Sequence, residues 1–345
     1  MRLDDLYIAG VATHLPERFP VERAVELGLY DAEDAAQGNW VSVAVAGETP
    51  APDLAARAGR LALERSGLDA ADIDLLVHTD THHQGPDAWS PQHYVLQEVL
   101  GTDVPALELR QGCNGMMAAL EAAANHLHAA PERTAALLTS GDNFGTALMD
   151  RWRSMTNIVL GDAGTSLVVS RRGGFARVLS VAHASVPVLE LLHRGEEPLF
   201  PPGATVGRPV DLKARAAQYA SSEAAARLAD HELIGSATKR AVKEALADAG
   251  VETADIARVT HMNWAHERFL RRTLAPIGLE TWRGTLEFSR RAGHLGAGDQ
   301  VAGLDHLLET GALAPGDHVL MIGVGTGISI SCVVLRIDER PSWVA

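Results

Sequence analysis

The chain has 345 residues, 46% hydrophobic and 21% charged, so it can bury a large core and is not a disordered tail. Its 30 Lys plus Arg stand against 44 Asp plus Glu, a formal net charge of −14, which argues against a nucleic-acid surface and leaves any anionic ligand to a few placed arginines. Two cysteines, Cys113 and Cys332, cannot build a disulfide framework, and no apolar run reaches the ~18 residues that a membrane span needs.

The opening MRLDDLYIAGVATHLPERF is acidic early and lacks an apolar h-region, so it does not read as a signal peptide; a cytoplasmic protein is expected. LAARAGRLALERSGLDAADIDLLVHTD then reads as an amphipathic helix, a stop at Gly67, a short loop and a buried strand. SATKRAVKEALADAGVETADIARVTHMN repeats that plan, with its stop at Gly250. When Ile73 is paired with Ile256, Cys113 lies 40 residues beyond the first and His294 lies 38 beyond the second. Each precedes an Ala/Leu-rich helix, Met116–His128 or Gln300–Thr310, and then a strand, ending at Gly141 or Gly323. The pattern predicts one β-α-β-rich unit duplicated, with halves 1–173 and 174–345. Cys113 and His294 would occupy equivalent turns around a shared cleft. Residues 191–235, with Pro201, Pro202 and many charges, read as an excursion shaping an entrance.

Cys113, in ELRQGCNGMMAALEAAANHL, sits between a strand and the first turn of a helix. There it would face unpaired N–H groups and the positive end of the helix dipole, which favours thiolate. Cys332, inside ISISCVVLRI, reads as a structural core residue. His294 lies in SRRAGHLGAGDQVAGL, displayed by glycines at 293, 296 and 298. Asp299 either caps the following helix or folds back to orient His294, in the order nucleophile, base, orienter. His261, ending the strand in ARVTHMNWAHERFL, is a third candidate for the cleft; His266 reads as a surface residue. The cluster His78, His82 and His83 lacks a second set of ligands at metal-site spacing, so no metal is expected. Gly323-Val324-Gly325-Thr326-Gly327 precedes a strand rather than a helix, which excludes a dinucleotide loop; Gly325, Thr326 and Gly327 are placed instead at an oxyanion hole. Gly161-Asp162-Ala163-Gly164 reads as a structural turn.

Taken together, GCNGMMAAL, IVLGDAGTSLVV, VTHMN, AGHLGAGD and GVGTGISISCVVLRI resemble the thiolase superfamily, specifically the ketoacyl synthase III enzymes, over nearly the whole chain. The resemblance implies a duplicated five-layered αβαβα fold of the α/β class, a homodimer, and acyl transfer through a cysteine thioester reached by a pantetheine tunnel. It implies no permanently bound cofactor; the acyl donor would be a coenzyme A thioester or an acyl carrier protein. By the same likeness Arg153 and Trp40 would bind coenzyme A, and the loop QGPDAWSP around Trp89 would reach toward a partner subunit.

Condensing members of the family use Cys, His and Asn; Cys113 and His261 match the first two, but His294 stands at the Asn position. A Cys–His–Asp set resembles instead the ketosynthase III-like acyltransferases of natural-product pathways, which form esters. The expected function is transfer of an acyl group, malonyl among the candidates, to a hydroxyl of a glycosylated or polyketide small molecule. The alternatives are a decarboxylating β-ketoacyl synthase III that initiates fatty-acid or polyketide chains, and a non-catalytic partner on the same fold, against which Cys113 argues.

Overall fold

A computed structural model describes residues 1–227 and 230–344. Among the described residues eleven strands are formed: β1 (Tyr7–His14), β2 (Arg18–Pro20), β3 (Ser42–Ala44), β4 (Ile73–Thr79), β5 (Ala106–Leu109), β6 (Ala135–Asp142), β7 (Ala163–Ser170), β8 (Ala176–Ser185), β9 (Ile256–Thr260), β10 (His318–Gly325) and β11 (Ser329–Ile337). Nine of them form a sheet in the order β5-β4-β6-β7-β1-β8-β11-β10-β9, and β2 pairs with β3.

The order carries an internal symmetry. β4 runs parallel to β6, which is antiparallel to β7, which is antiparallel to β1. In the other wing β9 runs parallel to β10, then β11 and β8 follow antiparallel. The wings join through a short pairing of Tyr7 and Ile8 with Arg177 and Ala176. β6 and β7 are buried at every position, the carboxylate Asp142 at the end of β6 included, because helices cover both faces.

The helix Gly115–His128 is buried on nearly all sides through Met116, Met117, Ala119, Leu120, Ala123, Ala124 and Leu127. Only Asn125 and His128 on this helix are exposed, so nearly all of its surface lies inside. With Val301, Leu304 and Leu308 of the helix Asp299–Glu309, it packs against strands of both wings. The helix Ala51–Ser66 buries Leu54, Ala55, Ala58 and Ala62 on the outside of one wing, and Gly67 ends it at φ 67°. The helix Asp230–Ala249 covers the other. The layers therefore run helix, sheet, helix, sheet, helix, the α/β thiolase-like architecture. Among the described residues no helix is long and apolar enough to cross a membrane.

The two central helices begin close together. The 3-10 turn Gly112–Asn114 leads into the first and the 3-10 turn Gly296–Gly298 leads into the second, and these two turns touch. That contact builds the site.

Candidate active site

Cys113 sits in the turn before the central helix, half-buried, while Cys332 is wholly buried in β11, where burial pushes its thiol up. The Cys113 Sγ lies 2.9 Å from His294 Nε2. The other ring nitrogen of His294, Nδ1, donates to Asp299 Oδ2 at 2.5 Å. His294 and Asp299 are 1% and 0% exposed, so this chain is shielded from water on all but the sulfur side.

Asp299 is the first residue of its helix, yet its carboxylate caps nothing within that helix. It turns back: Oδ1 accepts the Leu295 N–H at 2.7 Å, and Oδ2 accepts the Asn263 N–H at 2.7 Å as well as the imidazole proton. Burial by itself would lower the His294 pKa. The Asp299 carboxylate and the Cys113 sulfur outweigh burial and hold it well above the usual histidine range. The His294 Nε2 faces the sulfur, the geometry for passing a proton between ring and nucleophile.

The His294 loop is fixed from outside as well. The His294 N–H donates to Val159 O at 2.8 Å, and the Gly161 N–H donates to His294 O at 2.9 Å. The GDAG turn is thus tied directly to the His294 loop. Its Asp162 is buried, takes both Arg151 Nη groups at 2.9 Å, and also accepts the Ala46 and Phe144 N–H groups at 2.8 Å. Replacing Arg151 by Ala leaves that carboxylate buried without its cation. Denaturant unfolding should then show a loss of about 3–5 kcal/mol.

Asn263 is a residue that the sequence reading passed over. It is wholly buried, donates from Nδ2 to Gly293 O at 2.8 Å, and accepts the Ser289 hydroxyl at 2.8 Å. It therefore braces the His294 loop while its backbone serves Asp299. Its only signal was a polar residue two places after His261, at the end of a buried strand.

His261 is placed differently from the expectation of a group in the cleft. Its Nδ1 donates to Met262 O at 2.7 Å, and its Nε2 accepts the Thr285 N–H at 3.1 Å. Both nitrogens are committed, which fixes a neutral ring; burial holds its pKa low against the opposing Met262 carbonyl and Asp299 charge. His266 caps the helix Glu267–Leu274, accepting the Arg268 N–H at 3.1 Å.

The hairpin between β10 and β11 lies over the nucleophile turn. Gly325 ends β10 and its carbonyl accepts the Ile328 N–H at 3.1 Å, leaving Thr326 and Gly327 at the tip. A Cβ on Gly112 would fall 3.1 Å from Thr326 N and 2.8 Å from Thr326 Oγ1, so only glycine admits this approach next to Cys113.

Trp40 corrects an expectation. It is 5% exposed, enclosed by Tyr30, Val43 and Trp152, and has no ring face to offer an adenine. Arg153 is half-exposed but already forked onto Asp31 at 3.0 and 3.1 Å and bonded to Gly28 O at 2.9 Å. Trp89 packs on Tyr94, with ring centroids 5.8 Å apart, and stays partly exposed. His78 bonds Thr139 and Gln84, and His82 bonds Thr146. Among the described residues no group of His, Cys, Asp or Glu side chains is arranged to hold a metal.

Two models of a known family match the chain: 3-oxoacyl-[acyl-carrier-protein] synthase III over residues 107–186, and the C-terminal part of the same synthase over residues 246–337. The beta-ketoacyl-[acyl-carrier-protein] synthase III of Clostridium acetobutylicum is 23% identical, covering 97% of this chain and 99% of its own. That of Rhizorhabdus wittichii is 28% identical over 85% and 86%. A solved structure described as ChlB3, an acyltransferase, is 44% identical, covers 99% of this chain and 100% of its own, and superposes with a TM-score of 0.91. The synthase III of Aquifex aeolicus, 19% identical over 96% and 99%, shares the fold at a TM-score of 0.77.

Proposed function

The chain belongs to the 3-oxoacyl-[acyl-carrier-protein] synthase III family, and from that premise we propose that it moves an acyl group from a coenzyme A or carrier-protein thioester, through a thioester on Cys113, to a hydroxyl of a glycosylated or polyketide small molecule. The observation that carries this reading is the bonded chain from Cys113 through His294 to Asp299. A condensing enzyme needs a group that steadies an enolate; this chain presents a histidine with a carboxylate behind it, which is the equipment for taking a proton from a hydroxyl. The likeness to ChlB3 points the same way.

In the first half-reaction the Cys113 thiolate attacks the thioester carbonyl. The oxyanion that forms is met by the backbone N–H groups of Cys113 and of the Gly325–Gly327 turn, each such donor contributing about 10²–10³ in rate. The donor thiolate leaves and takes the proton from His294 Nε2. In the second, His294 takes the acceptor hydroxyl proton as the oxygen attacks the Cys113 thioester. The sulfur then leaves as thiolate, the ester is released, and the imidazolium–thiolate pair is restored. Residues 1–173 supply the nucleophile and 174–345 the base and its orienter. The enzyme works as a homodimer with no resident cofactor.

Intact mass spectrometry after incubation with malonyl-CoA tests this. The expected product is a malonyl adduct on Cys113 that keeps its carboxyl group, absent in Cys113→Ala. An acetyl adduct formed from malonyl-CoA would favour the decarboxylating β-ketoacyl synthase reading, which the names of the curated relatives support. An unmodified Cys113 with every acyl-CoA tried would end the covalent mechanism.

A further inference from the structure

Asp142 closes β6 and is completely buried. Its Oδ1 accepts the N–H groups of Thr81 and His82, both at 2.9 Å, and so pins the loop that leaves β4. Its Oδ2 is turned to the Gly296–Gly298 turn, which with Leu295 makes up the four residues between the base and its orienter. A methyl on Gly296 would fall 2.3 Å from that oxygen and 2.6 Å from Thr81 Oγ1, and Gly296 has φ 61°. Only glycine permits a carboxylate this close to the backbone of the base loop. His294 lies within electrostatic reach of it.

We infer that Asp142 is a positioning residue of this site: a second buried carboxylate that seats the Gly296–Gly298 turn and supplies negative charge beside the loop that carries His294. The inference rests on His294 acting as the base. The other titratable groups around Asp142 leave it this role. Asp80, just past β4, is buried 2.9 Å from Arg110; burial pushes it up to about 8, with the Asp142 and Glu108 charges adding to the rise and Arg110 opposing it. His82, on the pinned loop, is lowered to about 4 by burial and stays neutral. Asp142 itself is raised to about 6 by burial, against the Thr81 and His82 bonds and the charge of His294. It therefore becomes anionic just below neutral pH, and its charge then favours the imidazolium that forms when the acceptor hydroxyl is deprotonated.

The test is a ring-nitrogen NMR titration of the histidine-labelled full chain from pH 5 to 9, with His294 assigned by its loss in His294→Asn. In the wild type, the His294 signals should show a step near pH 6, before the ring loses its own proton. In Asp142→Asn, which keeps an oxygen for the Thr81 and His82 amides, the step should vanish and His294 should deprotonate at lower pH. Transfer out of the Cys113 thioester should fall about tenfold, in kcat rather than KM, with the acid limb of its pH profile moved to lower pH. A purely structural Asp142 would leave the His294 titration where it was, and that outcome overturns the inference. So does a wild-type curve with no step near pH 6, which decides the matter even if the variant fails to fold. Undiminished transfer by His294→Asn is a separate result: it would remove the base and leave the titration to stand alone.

Discussion

His294→Asn should slow transfer of a loaded acyl group from Cys113 to a hydroxyl by about 10²–10⁴-fold, the usual contribution of a positioned general base. The measurement is decay of the Cys113 adduct, followed by intact mass, in the presence of a glycosylated acceptor. Asparagine fits the space and can donate toward the sulfur, but it cannot hold a proton taken from the acceptor. It also ends the 2.9 Å contact between a cationic ring and Sγ, so loading of Cys113 should slow as well. The sulfur remains, so loading should still be detectable. Transfer that persists undiminished would show that another group, or the substrate itself, takes the proton.

Asp299→Asn should be nearly as damaging, with a loss of about 10³–10⁴-fold, the scale seen when the orienting carboxylate of a triad becomes an amide. The cause is the count of donors. Asp299 accepts from three N–H groups, those of Leu295, Asn263 and His294 Nδ1, and has none of its own to place. An amide offers one oxygen and brings two hydrogens into this enclosure. Either its NH2 faces the backbone donors and the base loop opens, or it faces His294 and forces the proton onto Nε2, where the ring can no longer accept from a hydroxyl. The pH profile separates this from unfolding. With the carboxylate gone the support for the imidazolium is lost, so the limb assigned to His294 should move to lower pH while the protein stays folded. An unmoved limb would mean that Asp299 is a structural bond only.

The sequence carried the local half of this account. Helix stops at Gly67 and Gly250, the paired Ile73 and Ile256, and the spacing to Cys113 and His294 all come from short-range rules: periodic burial of one face, and glycine where a helix ends. The same rules placed Cys113 at a strand-to-helix turn and His294 in a glycine-rich loop five residues before Asp299. For Asp299 they left two readings open, cap or orienter. The carboxylate turned back to the loop because the N–H groups of Leu295 and Asn263 stood there to meet it.

Residue identity and spacing by themselves indicated the duplicated β-α-β plan, the turn that carries Cys113 and the loop that carries His294, since the turn and loop are each written in about a dozen residues and the plan in the matching distances between such stretches. Tertiary structure alone decided which atoms met. Cys113 and His294 are 181 residues apart and touch because two buried helices start side by side between the wings of one sheet. His261, Trp40 and Arg153 have suitable chemistry at suitable places in the chain, yet Thr285, Trp152 and Asp31 reached them first. Asp142 gives no local sign of a role, because what it faces comes from a loop more than 150 residues away. A side chain's direction and partners depend on what long-range packing brings beside it, and no window of sequence contains that.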